Sequence, residues 1–234
     1  MVTNPVAQGR MEGKFMTREE ITGCIKQIGI VPGVRVPEKE LALFAAESVY
    51  EAGIPIVEIT MTVPDAIDVI SQIVKAYPDC IVGGGTVLDA ETAERCIDAG
   101  ARFVTSPGLV MEVLEATLRR NVVAIPGAMT PSEVIAAWKA GGDMVKIFPC
   151  APLGGDAYIR SLKVPLPQIP LIASGGVTQM TARDFIYAGA SALGIRSELT
   201  PRAALQTRQK QWIYELARRF TTIVREARAQ MEPV

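Results

Sequence analysis

Residues 54–86 read IPIVEITMTVPDAIDVISQIVKAYPDCIVGGGT, and this stretch holds one full repeat of the pattern that decides the fold. Val and Ile dominate residues 56–61 and 81–83, which predicts two strands. Apolar residues at helical spacing fill residues 64–77 between them, and Pro64 is typical of a first helical turn. A strand, a helix and a second strand in this order predict a βαβ unit on a parallel sheet.

The same alternation runs through most of the chain. Eight strands that alternate with helices, without a linker or a shift of composition, favour an α/β protein with a single (β/α)8 TIM barrel domain. An open doubly wound sheet is the alternative, but the glycine-rich turn at residues 83–86 does not spell GxGxxG and follows the third strand. The predicted strands are residues 30–36, 56–61, 81–83, 102–105, 122–125, 144–148, 171–173 and 192–195. The predicted helices include residues 38–52, 64–77, 90–99, 111–120 and 131–140.

The two ends of the chain carry further predictions. Arg18–Ile28 has the pattern of a leading helix that closes the bottom of the barrel, and residues 201–230 predict one long amphipathic helix. The basic residues of that last helix are interpreted as a solvated face, because no aromatic residues alternate with them on the polar side. Residues 1–14 are predicted to be flexible, which assigns residues 15–234 to the barrel domain.

The composition excludes several classes of function. The chain has 234 residues, 24 Lys and Arg against 25 Asp and Glu, and 49% hydrophobic residues, so no net field favours nucleic acid or an anionic membrane as partner. It contains no His, which excludes Ser-His-Asp and Cys-His catalytic centres and zinc sites that use His. Four cysteines without CxxC spacing predict reduced thiols. With no apolar run of membrane-spanning length and no signal-peptide pattern, we expect a cytoplasmic protein that binds a small molecule.

Two charged residues interrupt apolar strands near their carboxyl ends, which is where barrel enzymes place their active sites. Glu58 lies within IVEIT and Lys146 within MVKIFP. A structural interpretation makes them a buried ion pair. A functional interpretation makes Lys146 an amine nucleophile and Glu58 its acid/base partner. A lysine attacks a carbonyl only when neutral, and Arg35, late in the first strand, has the charge to favour that form, whereas Glu58 favours the charged one.

Glycine-rich turns follow the last two strands. Ser174-Gly175-Gly176 comes after the seventh strand and Gly194-Ile195-Arg196-Ser197 after the eighth, where phosphate sites recur in this fold. Glycines let backbone N–H groups approach an anion closely, and Arg196 and Ser197 can add side-chain donors. One glycine pair alone is more often a tight turn, but two at these strand ends favour an anion site.

Several motifs, taken together, resemble the class I KDPG/KHG aldolase family, the 2-keto-3-deoxy-6-phosphogluconate and 4-hydroxy-2-oxoglutarate aldolases. They occur in the family's order and at similar spacing over about residues 20–200. These motifs are VEIT at 57–60, GGGTVL at 83–88, TSPG at 105–108, IPG at 125–127, MTPSE at 129–133, KIFP at 146–149 and SGGV at 174–177.

The resemblance implies an aldehyde-lyase with a (β/α)8 barrel that works as a homotrimer without a metal or cofactor. Lys146 would form a Schiff base with a 2-oxo acid, and Glu58 would move protons. The substrate would be a 2-keto-3-deoxy sugar acid, most simply 2-keto-3-deoxy-6-phosphogluconate, cleaved to pyruvate and glyceraldehyde 3-phosphate. The implied substrate-binding residues are Arg35, Thr86, Pro107, Phe148, Ser174, Gly175, Gly176 and Ser197.

Three positions depart from the family pattern. Thr62 stands where several members carry an arginine that binds the substrate carboxylate, and Ser174 replaces a commoner threonine. Arg196 replaces a glycine in the phosphate turn, where it either strengthens an anion site or crowds a phosphate and selects another tail. The phosphogalactonate epimer and 4-hydroxy-2-oxoglutarate therefore stay open as substrates. Two more distant alternatives are a barrel isomerase or epimerase without a covalent adduct, and a non-catalytic oligomeric scaffold.

Overall fold

All strands of the sheet are parallel and short, and they follow one another around a barrel. A computed structural model describes residues 16–231, and residues 1–14, predicted to be flexible, lie outside this range. Within it the sheet order is β5-β4-β3-β2-β1-β9-β8-β7-β6, so β1 pairs with both β2 and β9. The strands are β1 Ile30–Val34, β2 Ile56–Thr60, β3 Ile81–Gly85, β4 Phe103–Thr105, β5 Val123–Ile125, β6 Gly127–Ala128, β7 Val145–Ile147, β8 Leu171–Ser174 and β9 Ala192–Ile195.

The fifth barrel strand is divided in two by Pro126. β5 pairs with β4, whereas β6 pairs with β7, and the proline between them has no amide hydrogen to continue a ladder. The Pro126 carbonyl accepts a hydrogen bond from the Lys146 amide (2.9 Å), which links this strand to β7. The two short segments are thus halves of one strand, and the predicted eight-stranded (β/α)8 barrel is confirmed.

Helices surround the barrel and contribute the outer half of its core. The helices are α1 Arg18–Ile28, α2 Lys39–Glu51, α3 Ala66–Ala76, α4 Ala90–Asp98, α5 Met111–Arg119, α6 Pro131–Lys139, α7 Asp156–Lys163, α8 Ala182–Tyr187, α9 Arg202–Gln206 and α10 Lys210–Ala229. Ile70 and Ile73 of α3 are fully or almost fully buried against β2 and β3, and Phe220 of α10 is fully buried in the layer where α10 packs on α2 and α8. None of the helices described between residues 16 and 231 is long and apolar enough to cross a membrane.

The leading helix α1 lies against β1, β5 and β9, as its sequence predicts. Thr17 caps it, accepting a hydrogen bond from the Glu20 amide while the Glu20 side chain accepts one from the Thr17 amide. Arg18 reaches Asp143, just before β7, with one guanidinium nitrogen 2.8 and 2.9 Å from the two carboxylate oxygens. This ion pair fixes α1 to the barrel.

The predicted long C-terminal helix is confirmed as α10, but it is shorter than the predicted residues 201–230, because the short helix α9 precedes it. The two helices are separated by Thr207, Arg208 and Gln209. Arg208 adopts a left-handed backbone conformation (φ 52°), which a right-handed helix cannot contain. Its guanidinium carbon lies 5.0 Å from the centroid of the Phe44 ring on α2, so the break places a cation over an aromatic face.

All four cysteines are free thiols, as predicted. Cys80, Cys96 and Cys150 are buried, and burial raises the pKa of each of these thiols to about 12. They are therefore protonated and unreactive at neutral pH.

Candidate active site

Glu58 and Lys146 meet inside the barrel at its carboxyl end. Glu58 lies on β2 and is only 5% exposed, and Lys146 lies on β7. Lys146 Nζ is 3.6 Å from Glu58 Oε2. Two opposite charges this deep in a barrel attract strongly, because little water screens them. The structure thus brings together the two charged residues that interrupt apolar strands in the sequence.

Thr105, at the end of β4, bridges these two groups. Its hydroxyl donates a hydrogen bond to Glu58 Oε2 (2.7 Å), and Lys146 Nζ donates one to Thr105 Oγ1 at the longer distance of 3.5 Å. The hydroxyl orients the carboxylate and offers the lysine nitrogen a second acceptor. Sequence reasoning did not include Thr105 among the site residues. Its position could have indicated a role in the site, because Thr105 is a polar residue at the end of an apolar strand, as Glu58 and Lys146 are polar residues within apolar strands.

Glycines on both sides of β2 leave room for the Glu58 side chain. A Cβ atom added at Gly85 on β3 would lie 2.4 Å from Glu58 Oε1, a distance that no real structure tolerates. A Cβ added at Gly33 on β1 would lie 3.6 Å from the same oxygen and 2.9 Å from Cγ of Arg196. Gly33 of β1 and Gly85 of β3 therefore leave the space that the side chains of Arg196 and Glu58 occupy.

Two arginines lie at the mouth of the site. Arg35 follows β1 directly and donates a hydrogen bond to the Thr86 hydroxyl (3.1 Å), so its partner is Thr86 and not Lys146. Thr86 itself has a left-handed backbone (φ 59°) that turns it inward after β3. Arg196 follows β9, and its guanidinium carbon lies 5.7 Å from the centroid of the Phe148 ring. Burial, together with the charge of Arg35, lowers the pKa of Arg196.

Apolar side chains form the walls around the lysine. Phe148 lies 5.9 Å from Lys146 Nζ, measured to its ring centroid, and Pro107, which follows β4, lines the same cavity. The predicted residues that line this cavity are Arg35, Glu58, Thr86, Pro107, Lys146, Phe148 and Ser174. Val31, Gly33, Thr105, Ile125, Ile172, Gly194 and Arg196 complete it.

The remaining predicted residues lie beside this cavity. Gly175 and Gly176 follow β8 with left-handed backbones (φ 88° and 91°), and Gly175 packs closely against the Phe148 ring. Ser197 is exposed and lines a neighbouring cavity that also contains Arg35 and Arg196. Thr62 is exposed, and its hydroxyl is 2.8 Å from that of Thr60. It therefore lies at the rim, outside the residues that line the lysine cavity.

The sequence matches one family over most of its length. The profile of the family described as KDPG and KHG aldolase covers residues 21–216. The chain belongs to this aldolase family. Its members are class I aldolases, a group of carbon–carbon lyases.

Individual relatives of this aldolase carry different substrate names. The KHG/KDPG aldolase of Escherichia coli (strain K12) is 33% identical over 189 residues, which cover 81% of this chain and 89% of the relative. The 2-dehydro-3-deoxy-6-phosphogalactonate aldolase of the same organism is 34% identical over 174 residues, covering 74% of this chain and 83% of the relative. These nearly equal identities establish the family and leave its several substrates open.

A solved relative shows the same fold. The KDPG aldolase of Legionella pneumophila, captured with pyruvate as a covalent carbinolamine, superimposes with a TM-score of 0.75 at 28% identity. The match covers 84% of this chain and 96% of that protein. This aldolase therefore shares the barrel fold of a solved enzyme that was captured with covalently bound pyruvate.

Proposed function

We propose that the protein is a Schiff-base aldolase in which Lys146 is the nucleophile and Glu58 the general acid/base. The observation that carries this proposal is the 3.6 Å contact between Lys146 Nζ and Glu58 Oε2 in a cavity at the carboxyl ends of the strands. The membership of the chain in a class I aldolase family supports it. A carboxylate this close to the amine can take up and return the protons that imine chemistry moves.

The reaction follows from these two groups. The neutral Nζ of Lys146 attacks the C2 carbonyl of a 2-oxo acid, and loss of water from the carbinolamine gives an iminium ion. Glu58 removes the proton of the C4 hydroxyl, the C4 oxygen becomes the carbonyl of the aldehyde, and the electrons of the C3–C4 bond move into the iminium to form an enamine. Glu58 returns the proton to C3, and water then hydrolyses the imine to release pyruvate and free Lys146.

The neighbouring residues are proposed to hold the oxo acid. The Thr86 hydroxyl accepts a hydrogen bond from Arg35, so its own proton is free to be donated to the substrate carboxylate. Pro107 and Phe148 form the apolar walls of a pocket for the three-carbon pyruvyl group. This arrangement supplies donors to the carboxylate without the arginine that Thr62 replaces.

The substrate is proposed to be a 2-keto-3-deoxy sugar acid with a phosphate, most simply 2-keto-3-deoxy-6-phosphogluconate. Ser174, Gly175, Gly176 and Ser197, at the ends of β8 and β9, are the proposed neighbours of its tail. The phosphogalactonate epimer and 4-hydroxy-2-oxoglutarate are the alternatives. We further propose that the enzyme is a cytoplasmic homotrimer, which rests on the family resemblance and on its free, buried thiols.

Borohydride trapping with pyruvate tests the chemistry directly, because reduction turns an imine into a stable amine. We expect intact mass to increase by one pyruvyl group, and peptide mapping to locate it on Lys146. Lys146→Ala should abolish the adduct while the circular dichroism spectrum stays unchanged. Lys139→Ala, which removes an exposed lysine outside the site, should keep it. A folded wild-type protein without an adduct would contradict the proposal and favour isomerase or scaffold roles.

Glu58→Gln separates the acid/base role from the nucleophile. The amide keeps the size and position of the side chain but cannot accept a proton. We expect the pyruvate adduct to form more slowly and the rate of aldol cleavage to fall by about 10²- to 10⁴-fold. Unchanged cleavage in this variant would assign the proton transfers to another group.

A further inference from the structure

A second cavity of about 460 Å³ adjoins the lysine cavity at the edge between β1 and β9. Gly33, Arg35 and Arg196 line both cavities, so they form the boundary between them. Arg202, at the start of α9, lines the second cavity together with the hydroxyl-bearing residues Ser197 and Thr200. Its other walls are the apolar side chains of Val36, Pro37, Leu41 and Leu205.

The second cavity carries three positive charges and no carboxylate among its lining residues. In the part of the chain from 16 to 231, no ion pair involves Arg35, Arg196 or Arg202. Arg35 donates a hydrogen bond to a neutral group, the Thr86 hydroxyl, and Arg196 faces the Phe148 ring. The charge of Glu58 acts on Arg196 as well, but the nearest cation to Glu58 is Lys146.

The exposed Arg35 and the half-buried Arg196 carry like charges, which repel each other, and the pKa of Arg196 is lowered, as such repulsion requires. Burial is the first cause of its lowering and the charge of Arg35 the second. An anion between the two guanidinium groups would remove this repulsion and gain charge-assisted hydrogen bonds, since each guanidinium presents a planar set of donors suited to phosphate or carboxylate.

The boundary between the cavities is within reach of a molecule bound to Lys146. The Arg196 guanidinium carbon and Lys146 Nζ lie 5.7 and 5.9 Å from the same Phe148 ring centroid. One sugar acid can therefore contact both groups. Arg196 also occupies the position at which the aldolase pattern has a glycine, so its side chain brings a charge that the pattern does not include.

We propose that the anionic tail of the substrate, remote from the reacting carbonyl, lies between Arg35 and Arg196, and that Arg196 selects substrates with a phosphate or second carboxylate at that end. Arg202, Ser197 and Thr200 border the far side of this tail site. The inference rests on the proposed function, because it concerns the oxo acid that Lys146 binds.

The test compares aldol cleavage of three substrates that differ in the tail. These are 4-hydroxy-2-oxopentanoate, which has a neutral methyl group, 4-hydroxy-2-oxoglutarate, which has a carboxylate, and 2-keto-3-deoxy-6-phosphogluconate, which has a phosphate. For Arg196→Gln we expect kcat/KM to fall about 10- to 100-fold for the anionic substrates, the loss typical of hydrogen bonds to a charged group. For the neutral substrate we expect a change of less than about 2-fold.

Arg196→Gly and Arg225→Gln serve as the comparison variants. Arg196→Gly removes the charge and the bulk together. Arg225→Gln removes one positive charge from the exposed surface of α10, and kcat/KM for each of the three substrates should stay unchanged. The larger of the two losses, for carboxylate or for phosphate, identifies which anion the site takes.

Several results would overturn the inference while leaving the Schiff-base function intact. The first is a wild-type enzyme that forms the pyruvate adduct but does not prefer anionic tails. The second is an Arg196→Gly variant that cleaves the phosphorylated substrate faster, since Arg196 would then exclude that tail. The third is a loss of pyruvate trapping in Arg196→Gln, which would place Arg196 at the carboxylate next to the reacting carbonyl. A wild-type protein without any pyruvate adduct would instead contradict the proposed function itself.

Discussion

Thr105 is the residue through which the lysine and the glutamate of the site act as a unit. Its hydroxyl proton goes to Glu58 at 2.7 Å, and its oxygen faces Lys146 Nζ at 3.5 Å. It is buried among the residues that line the lysine cavity. Without the Thr105 hydroxyl, the Glu58 carboxylate loses a hydrogen-bond donor, and the side chains of Glu58 and Lys146 can adopt more conformations. We regard Thr105 as a positioning residue for the proton transfers.

Thr105→Val should therefore lower kcat for aldol cleavage by about 10- to 100-fold, with little change in KM. The measurement is a kcat profile over pH with the best substrate of the panel. Thr105→Ser keeps the hydroxyl and should restore most of the activity. If Val and Ser behave alike, the role of Thr105 is confined to packing.

The sequence predicted the charged residues of the site better than its hydroxyls. Glu58 and Lys146 are visible in the sequence because a charge within an apolar strand is costly unless it is paired or functional. A threonine such as Thr105 is common in strands, so the signal lies only in its position at the end of an apolar strand, which is weaker than the signal of a charge. The position of Ser197 was also beyond the sequence, because it depends on how the chain turns after β9.

At the scale of elements, the attachment of α1 depends on Asp143. Its carboxylate accepts two hydrogen bonds from Arg18 and one from the Ala124 amide (2.8 Å). Asp143 thus joins the segment just before β7, in which it lies, to the leading helix α1 and to β5. The side chains of Arg18 and Asp143 are 23% and 16% exposed, so solvent screens the attraction between their charges only in part.

Asp143→Ala should lower the free energy of unfolding by about 2 kcal/mol, because a guanidinium and a backbone amide are left without their acceptor. Urea denaturation of the purified protein measures this loss. Catalytic activity should stay near that of the wild type, since Asp143 does not line the lysine cavity. Glu215→Ala breaks an exposed pair with Arg218 and should change stability by less than about 0.5 kcal/mol. Equal effects of the two changes would contradict the anchoring role.

The order of strands and helices was readable from the sequence, but two interruptions were not recognised. The alternation of Val- and Ile-rich runs with helical patterns reflects burial on both sides of a parallel sheet, and burial is a strong local signal. Pro126 gave a usable signal for the division of the fifth strand, since it cannot donate to a ladder. The break at Arg208 gave none, because arginine has no preference for the left-handed conformation found there.

At the scale of the whole molecule, three exposed apolar side chains follow neighbouring strands of the barrel at their carboxyl ends. Leu88 follows β3, Met111 begins α5 after β4, and Met129 follows β6, so the three come from neighbouring strands. All three are substantially exposed, with Leu88 at 56%. Neighbouring exposed apolar residues of this kind are typical of surfaces that pack against another chain. They support the proposed homotrimer.

We expect light scattering to give three times the mass of one chain, and Leu88→Glu to shift the protein toward monomers, because a charge would be buried at the contact. Met180→Glu is the matched control, since Met180 is 86% exposed and lies after β8 on another side of the barrel. A trimer that persists in Leu88→Glu and dissociates in Met180→Glu would move the interface to the opposite part of the rim.

The order of the sheet places β2 and β7 opposite each other, with three barrel strands between them in either direction. The contact between Glu58 and Lys146 therefore spans the diameter of the barrel, which explains why both side chains are long. Any change in the width of the barrel along this direction therefore changes the distance between Lys146 Nζ and Glu58 Oε2 directly. A Glu58→Asp change, which shortens the side chain by one methylene, would widen this gap from one side of the barrel.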